Sequence, residues 1–233
     1  NRMFAGSDQP YDPIARAVVT PEAGDGTLAQ AVEALCAARQ PLLVLGSQAL
    51  VAAAEAPRVA EAVQRLGVPA YLSGMARGVL GREAGLQMRH ARRQALREAD
   101  VVLLAGVPCD FRLDYGKHVR PDAKLIAANR SRNDARLNRK PTIAAIGDAG
   151  RFLAALAERV GDAARRDQWI KSLAARDAER EREIDAQAQG SGEHVNPVAF
   201  FRALDKAAGD HAIFVADGGD FVGTASYILR PRG

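Results

Sequence analysis

Apolar residues along this chain fall into short unbroken runs, most of them closed by a glycine, an asparagine or an aspartate. Pro41-Leu42-Leu43-Val44-Leu45 stops at Gly46, and Asp100-Val101-Val102-Leu103-Leu104-Ala105 stops at Gly106. Lys124-Leu125-Ile126-Ala127-Ala128 meets Asn129, Thr142-Ile143-Ala144-Ala145-Ile146 leads to Asp148, and Val68-Pro69-Ala70-Tyr71-Leu72 is a shorter run. Branched apolar residues without polar alternation mark strands buried on both faces, as in a parallel sheet covered by helices. Between the runs the spacing turns helical. Leu28, Ala31, Val32 and Leu35 share one face of a helix that Thr27 caps and that reaches about Arg39. Val51, Val59, Val63 and Leu66 mark a long Ala-rich helix that ends at Gly67, with Pro57 near the start of its regular part. Met88–Ala99 reads as a basic helix, and Phe152, Leu153 and Leu156 as the inner face of a helix from about Gly150 to Val160, capped by Asp148. Alternating strands and helices predict an α/β fold, an open and mainly parallel sheet with helices on both faces.

The pattern changes after Gly161. From Ala163 to about Ala186 the chain is highly charged, with Trp169, Ile170, Leu173 and Ile184 as its large apolar residues, and reads as an exposed connecting helix. Gln187–Glu193 is a flexible linker. Asn196 then caps a helix that Pro197 begins and that continues through Phe200, Phe201 and Leu204. Ala212–Ala216 reads as a strand and Asp217–Gly223 as the loop after it. The organisation is therefore a linker (1–26), a central domain (27–160), a connecting helix and linker (161–195), and the start of a second α/β domain (196–233). One helix and one strand cannot build a core alone, so the chain reads as a piece of a longer protein.

Composition narrows the function classes. The 233 residues carry a net charge of +4, with the basic residues dispersed and no stripe interleaved with aromatics, which speaks against nucleic acid as partner. Cys36 and Cys109 lie far apart without metal or redox spacing, pointing to a reduced, cytoplasmic compartment. No run approaches the ~18 apolar residues of a membrane span. His90, His118, His194 and His211 share no metal-ligand spacing, so no metal site is assigned. A basic cluster from Arg89 to Arg97 reads first as a solvated helix face, with a phosphate contact as the alternative. Gly46 lets the backbone approach a ligand, and a helix opening behind it would offer N–H groups to an anion; the alternative is a simple tight turn.

Five strings taken together go further: Leu-Gly-Ser-Gln-Ala-Leu (45–50), Gly-Met-Ala-Arg-Gly (74–78), Cys-Asp-Phe-Arg-Leu-x-Tyr-Gly (109–116), Asn129-Arg130, and Asp-Gly-Gly-Asp-Phe-Val-Gly-Thr-Ala (217–225). In this order, and over essentially the whole chain, they resemble the thiamine-diphosphate-dependent acetolactate synthase-like family, particularly its 2-hydroxyacyl-CoA lyase-like subgroup. The resemblance implies that 27–160 is the central domain, with a six-stranded parallel sheet, and that 196–233 begins the domain holding thiamine diphosphate and Mg²⁺. It implies a carbon–carbon lyase or carboligase acting on a 2-keto acid or a 2-hydroxyacyl-CoA, assembled as a homodimer or homotetramer and inactive as the isolated segment. The family's catalytic glutamate and metal ligands match no residue of this chain. Carried over by position, the cofactor-binding candidates are Gly46, Ser47, Gln48, Arg112, Asn129, Asp148 and Ala149 for an accessory nucleotide. Gly219, Asp220 and Phe221 are the candidates for the diphosphate loop, where Gly218 and Gly219 permit close approach. Pro108 and Asn129 depart from the flavin pattern, which leaves FAD, ADP, a CoA moiety or no ligand open in the central domain. A stand-alone nucleotide-binding or assembly domain is the rival reading.

Overall fold

The structure, a computed structural model, describes residues 23–190, 192–215 and 217–232. Most of the 1–26 linker therefore lies outside the described residues. The first helix, α1 (Asp25–Ala37), starts earlier than Thr27, because the Gly24 carbonyl already accepts the amides of Thr27 and Leu28 at 3.0 and 3.2 Å. Six parallel strands follow: β1 (Pro41–Leu45), β2 (Ala70–Leu72), β3 (Gln87–Met88), β4 (Val101–Ala105), β5 (Lys124–Asn129) and β6 (Ile143–Ile146). They lie in the order β3-β2-β1-β4-β5-β6, all neighbours parallel. The chain thus starts in the middle, winds outward to β3, then returns past β1 to build the other half.

Burial of all five β1 residues and all five β4 residues explains the unbroken apolar runs. Alternate side chains serve opposite faces. Leu43, Leu45, Leu103 and Ile126 join the core under α1, α2 (Ala56–Leu66) and α5 (Ala149–Val160). Leu42, Val44, Leu104 and Leu125 join the opposite core under α3 (Arg92–Glu98) and the first half of α6 (Asp167–Ala188). A short α4 (Arg132–Ala135) connects β5 towards β6.

Four details differ from the sequence reading. No long helix follows β1; two short 3₁₀ turns (Ser47–Leu50 and Ala53–Glu55) come first, and α2 begins at Ala56 with Pro57 in its first turn, where a missing N–H costs nothing. Met88–Ala99 is not one helix: Met88 pairs with Tyr71 as the edge of the sheet, and left-handed Ala91 (φ 53°) separates it from α3. The third is the missing sixth run: β3 is only two residues long, too short to leave a pattern. Finally, Ala212–Val215 is not a strand, and Ala216 lies outside the described residues. A strand needs a ladder partner, and none lies beside this segment among the described residues; Ile213 and Val215 are 89% and 93% exposed.

Beyond the sheet, α7 (Pro197–Ala207) is capped by the Asn196 side chain on the Val198 and Ala199 amides. It packs with α8 (Asp220–Ile228) and the end of α6 through Ile184, Phe201, Ala225, Ile228 and Leu229. Among the described residues no helix is long and apolar enough to cross a membrane.

Candidate functional site

The carboxyl ends of the strands gather most of the candidates on one edge of the sheet. The winding reverses between β1 and β4, and in open α/β sheets that switch point is where ligands enter. Here the backbone closes it. Gly46 donates to the Ala105 carbonyl (2.8 Å), Gly106 to Ala128 (2.8 Å), and the Gln48 amide to the Gly106 carbonyl (3.1 Å). A Cβ on Gly46 would stand 2.6 Å from both the Gly106 oxygen and the Val107 Cβ. Gly106 (φ +72°) would place one 2.3 Å from the Ala49 nitrogen. These glycines are required by the approach of two loops to one another. The expected helix N-terminus with free amides behind Gly46 is replaced by a four-residue 3₁₀ turn whose Gln48 and Ala49 amides are already bonded.

Ser47 and Gln48 hold the neighbouring loops. Ser47 Oγ accepts the Met75 amide at 3.1 Å, tying the β1 loop to the β2 loop. Gln48 Nε2 donates to Asp134 Oδ2 at 3.0 Å and its Oε1 accepts the Arg130 amide at 3.3 Å, tying it to the β5 loop. Asn129 is 1% exposed; its Oδ1 accepts the Ser131 amide at 3.3 Å, and its Nδ2 has no partner among the described residues. Asp148 Oδ1 caps α5 through the Gly150 and Arg151 amides, both at 3.0 Å, and Ala149 is fully buried behind it. Asp148 also lines a hollow of about 250 Å³ with Arg58 and Arg151.

Arg112 opens onto a different cleft. Ser73, Gly74, Arg77, Arg92 and Arg112 line a space of about 430 Å³ at the β2 and β4 ends. Arg112 forks onto Asp110, whose carboxyl that bond holds below the usual range, so much of its charge is neutralised locally. Arg92 donates to the Arg112 carbonyl at 2.6 Å. Burial, and then the like charge of Arg77, hold the Arg92 guanidinium below its ordinary value. Arg77 makes no side-chain hydrogen bond or ion pair among the described residues. The exposed ring of Phe111, next in the chain to Arg112, lies 5.7 Å from the Arg112 guanidinium. A cleft with this surplus of guanidinium groups favours an anion.

The remaining candidates sit at the amino end of α8. Gly219 (φ +104°) precedes the helix, Asp220 is its first residue, and Phe221 is 65% exposed with its ring 5.8 Å from that of Phe201. No side chain caps the helix, and a Cβ on Gly218 or Gly219 would meet nothing within 4 Å. The Gly218 amide is taken by Asp217 Oδ1 at 2.7 Å; the uncapped, glycine-bearing start of the helix after it fits a diphosphate held by backbone N–H groups. Among the described residues no three His, Cys, Asp or Glu side chains converge as metal ligands.

One group escaped the sequence reading. Arg89, assigned to a solvated helix face, precedes α3 and is largely buried. Its Nη2 donates to the carbonyls of Tyr227 (3.0 Å), Ile228 (3.2 Å) and Leu229 (3.0 Å). Glu181 on α6 faces Arg89 (3.5 Å), His90 (2.8 Å) and Arg202 (2.6 Å), while Asp177, one turn earlier, accepts the amides of Arg89 (2.6 Å) and His90 (3.0 Å). Burial raises the Glu181 carboxyl, but the His90 and Arg202 bonds and the Arg89 charge outweigh it and leave it at about 2. Asp177 and Glu181, four apart on one helix, carried a local spacing signal; their partner some ninety positions away carried none.

A six-stranded, all-parallel open sheet in this order, with its loops meeting at one edge, defines a doubly wound α/β domain. The family model for the thiamine pyrophosphate enzyme central domain matches residues 28–156, which is α1 through most of α5, and the chain belongs to that family. It is 40% identical over 238 residues to 2-hydroxyacyl-CoA lyase 2 of Danio rerio, an alignment covering 100% of this chain and 38% of the relative. It is 39% identical over 236 residues to 2-hydroxyacyl-CoA lyase 2 of Homo sapiens, covering 99% and 37%. The acetolactate synthase large subunit IlvG of Mycobacterium tuberculosis is 34% identical over 205 residues, covering 85% and 36%. The chain spans less than two fifths of the length of these curated relatives.

Proposed function

We propose that this chain is the central domain and the opening of the cofactor-binding domain of a thiamine-diphosphate-dependent carbon–carbon lyase that acts on a 2-hydroxyacyl-CoA. The relatives named 2-hydroxyacyl-CoA lyase 2, which align over the whole chain, support that substrate class above a free 2-keto acid. Thiamine diphosphate, held with Mg²⁺, supplies the carbanion stabilisation that such cleavage requires. The chain's own part is to bind and orient. The turn at Gly218–Phe221 receives the diphosphate through the backbone donors that follow Gly218, whose own amide is bonded to Asp217, and the sheet domain holds the nucleotide end of the substrate or of an accessory ADP.

The observation that carries the nucleotide assignment is the cleft of Arg77, Arg92 and Arg112, with Arg77 lacking a carboxylate partner among the described residues. Arg77 and Arg92 would take phosphate oxygens, and Phe111 would offer a face to the adenine. Asn129, sealed in the fold at 1% exposure, offers no contact to the adenosine ribose that ADP, CoA and FAD share, so the titration has to tell the three apart. Calorimetric titration of ADP, CoA and FAD into the chain tests this. Binding of ADP and CoA that weakens with salt and is lost in R77A/R92A is the expected result. If neither binds, or if the double variant binds as well as the parent, the assignment is wrong; binding of FAD alone would restore the flavin alternative.

A further inference from the structure

The α8 helix is the element that carries the diphosphate turn, and its opposite end is gripped from a different part of the molecule. Arg89 belongs to the sheet domain, between β3 and α3, yet its Nη2 shares two protons among the carbonyls of Tyr227, Ile228 and Leu229. These are acceptors at the carboxyl end of the helix, which lack intrahelical partners and form the negative pole of its dipole. The arginine is itself fixed. Its amide is held by Asp177 at 2.6 Å, its Nη1 faces Glu181 at 3.5 Å, and both carboxylates project from α6.

Just past the helix, the Arg230 amide donates to Asp205 Oδ1 at 2.9 Å; the contacts of the helix body are of a different kind. Ala225, Ile228 and Leu229 pack on Ile184 and Phe201, which fixes how closely the helix lies against α6 and α7. Apolar contact is non-directional and resists sliding along the helix axis weakly. The guanidinium bonds are directional and act at the helix end. A nine-residue helix is ~13 Å long and rigid, so whatever fixes its carboxyl end along the axis also fixes its amino end.

Building on the proposed reading of the Gly218–Phe221 turn, we infer that Arg89 is a positioning residue for thiamine diphosphate. It sets, through α8, where the diphosphate turn stands relative to the sheet domain. It touches no cofactor and acts only through the helix. A neighbouring arginine supplies the control: Arg82 also crosses from the sheet domain, but its ion pair at 3.0 Å is with Asp205 on α7. Asp205 also accepts the Arg230 amide (2.9 Å) and pairs with Arg232 (2.7 Å) just past α8; loss of Arg82 leaves those bonds and the Arg89 grip on the helix-end carbonyls in place while weakening the docking of the same unit.

The test uses the full-length protein as R89M, R89K, R82M and G219V, with hydrogen exchange across 220–228 and calorimetric affinity for thiamine diphosphate in the presence of Mg²⁺. R89M is expected to speed exchange in α8 and to raise the cofactor Kd about ten- to a hundredfold, the loss of a charged hydrogen-bond set. R89K, which keeps a donor at the helix end, recovers part of that loss, and R82M leaves the Kd within about twofold. Unchanged exchange and affinity in both Arg89 variants overturn the proposal. Equal losses of affinity in R89M and R82M also overturn it, because they reduce Arg89 to general docking. G219V reports on the underlying reading: its positive φ admits no β-branched side chain without strain, so cofactor affinity must fall if that turn holds the diphosphate. Retained affinity in G219V refutes the diphosphate turn itself, whatever Arg89 does.

Discussion

Replacing Gly106 with alanine isolates the contact that closes the switch point. Two costs combine. The residue sits at φ +72°, where an L side chain meets its own backbone, a cost of about 1–2 kcal/mol. The added Cβ would also stand 2.3 Å from the Ala49 nitrogen and 2.9 Å from the Gln48 carbonyl carbon, both backbone atoms that cannot rotate away. Forcing a methyl into such a site costs about 1–3 kcal/mol, so G106A is expected to lose about 2–5 kcal/mol. Two further variants separate the terms. G67A has a similar φ of +66° at the end of α2 but meets the Arg165 side chain, at 3.1 Å, and reports mainly the dihedral cost. G46A has ordinary extended backbone (φ −126°, ψ 179°) but would stand 2.6 Å from the Gly106 oxygen, and reports mainly the contact. Urea unfolding followed by the fluorescence of Trp169, the sole tryptophan, measures all three. A G106A no less stable than G67A, with an unchanged m-value, would refute the claim that the two loops need glycine for their mutual approach.

Acid should weaken the junction around Glu181. Its carboxyl is held at about 2, below its ordinary 4.5. It therefore stabilises the folded state above about pH 4.5, and that contribution is lost as pH falls towards 2. E181Q should flatten that part of the stability profile while leaving the neutral-to-alkaline part parallel to the parent, as denaturant titrations across pH would show. Burial pushes the Cys109 thiol up to about 11, so iodoacetamide at pH 8 should modify Cys36 in the native chain and Cys109 only after unfolding, read by peptide mass spectrometry. Trp169 donates its indole N–H to the Pro41 carbonyl at 3.0 Å from a buried position. W169F should cost about 1–3 kcal/mol in unfolding followed by circular dichroism, and a cost near zero would show that the bond is replaceable.

Most of the sheet was legible because its strands are buried on both faces, and a residue with no polar side to show leaves an unbroken apolar run. The same logic explains what was missed. β3 contributes two residues, and its membership depends on Tyr71 alongside Met88 and not on any pattern of its own. The segment at Ala212–Val215 has strand composition without a strand beside it, so composition alone overstated it. Behind β1, alanine-rich helical propensity lost to tertiary contact: Ala49 is pinned under Gly106 and Gly150, and the chain turns twice before α2 can start. At the site, Gly46 and Gly106 were visible as strand-ending glycines, but that they face each other is a property of strand order. Arg112 was found by resemblance. Its cleft partners Arg77 and Arg92, and Arg89 at the junction, come from loops that only the fold brings together.

The connecting helix shows how so few apolar residues can serve two cores. Trp169, Ile170 and Leu173 occupy the first two turns of α6 and complete one face of the sheet domain. Ile184 lies eleven residues later, in the cluster with Phe201, Ile228 and Leu229. Between them the inward contacts are charged: Arg176 on Glu98, Asp177 on the Arg89 and His90 amides, and Glu181 on Arg89, His90 and Arg202. An apolar bridge here would have merged the two cores and left their relative placement to packing alone. A row of part-buried, directional bonds fixes the placement at named atoms instead, although ionic contacts add less stability than burial of the same area. That exchange suits a junction whose task is alignment, since it sets the amino end of α8 at a fixed separation from the arginine cleft of the sheet domain.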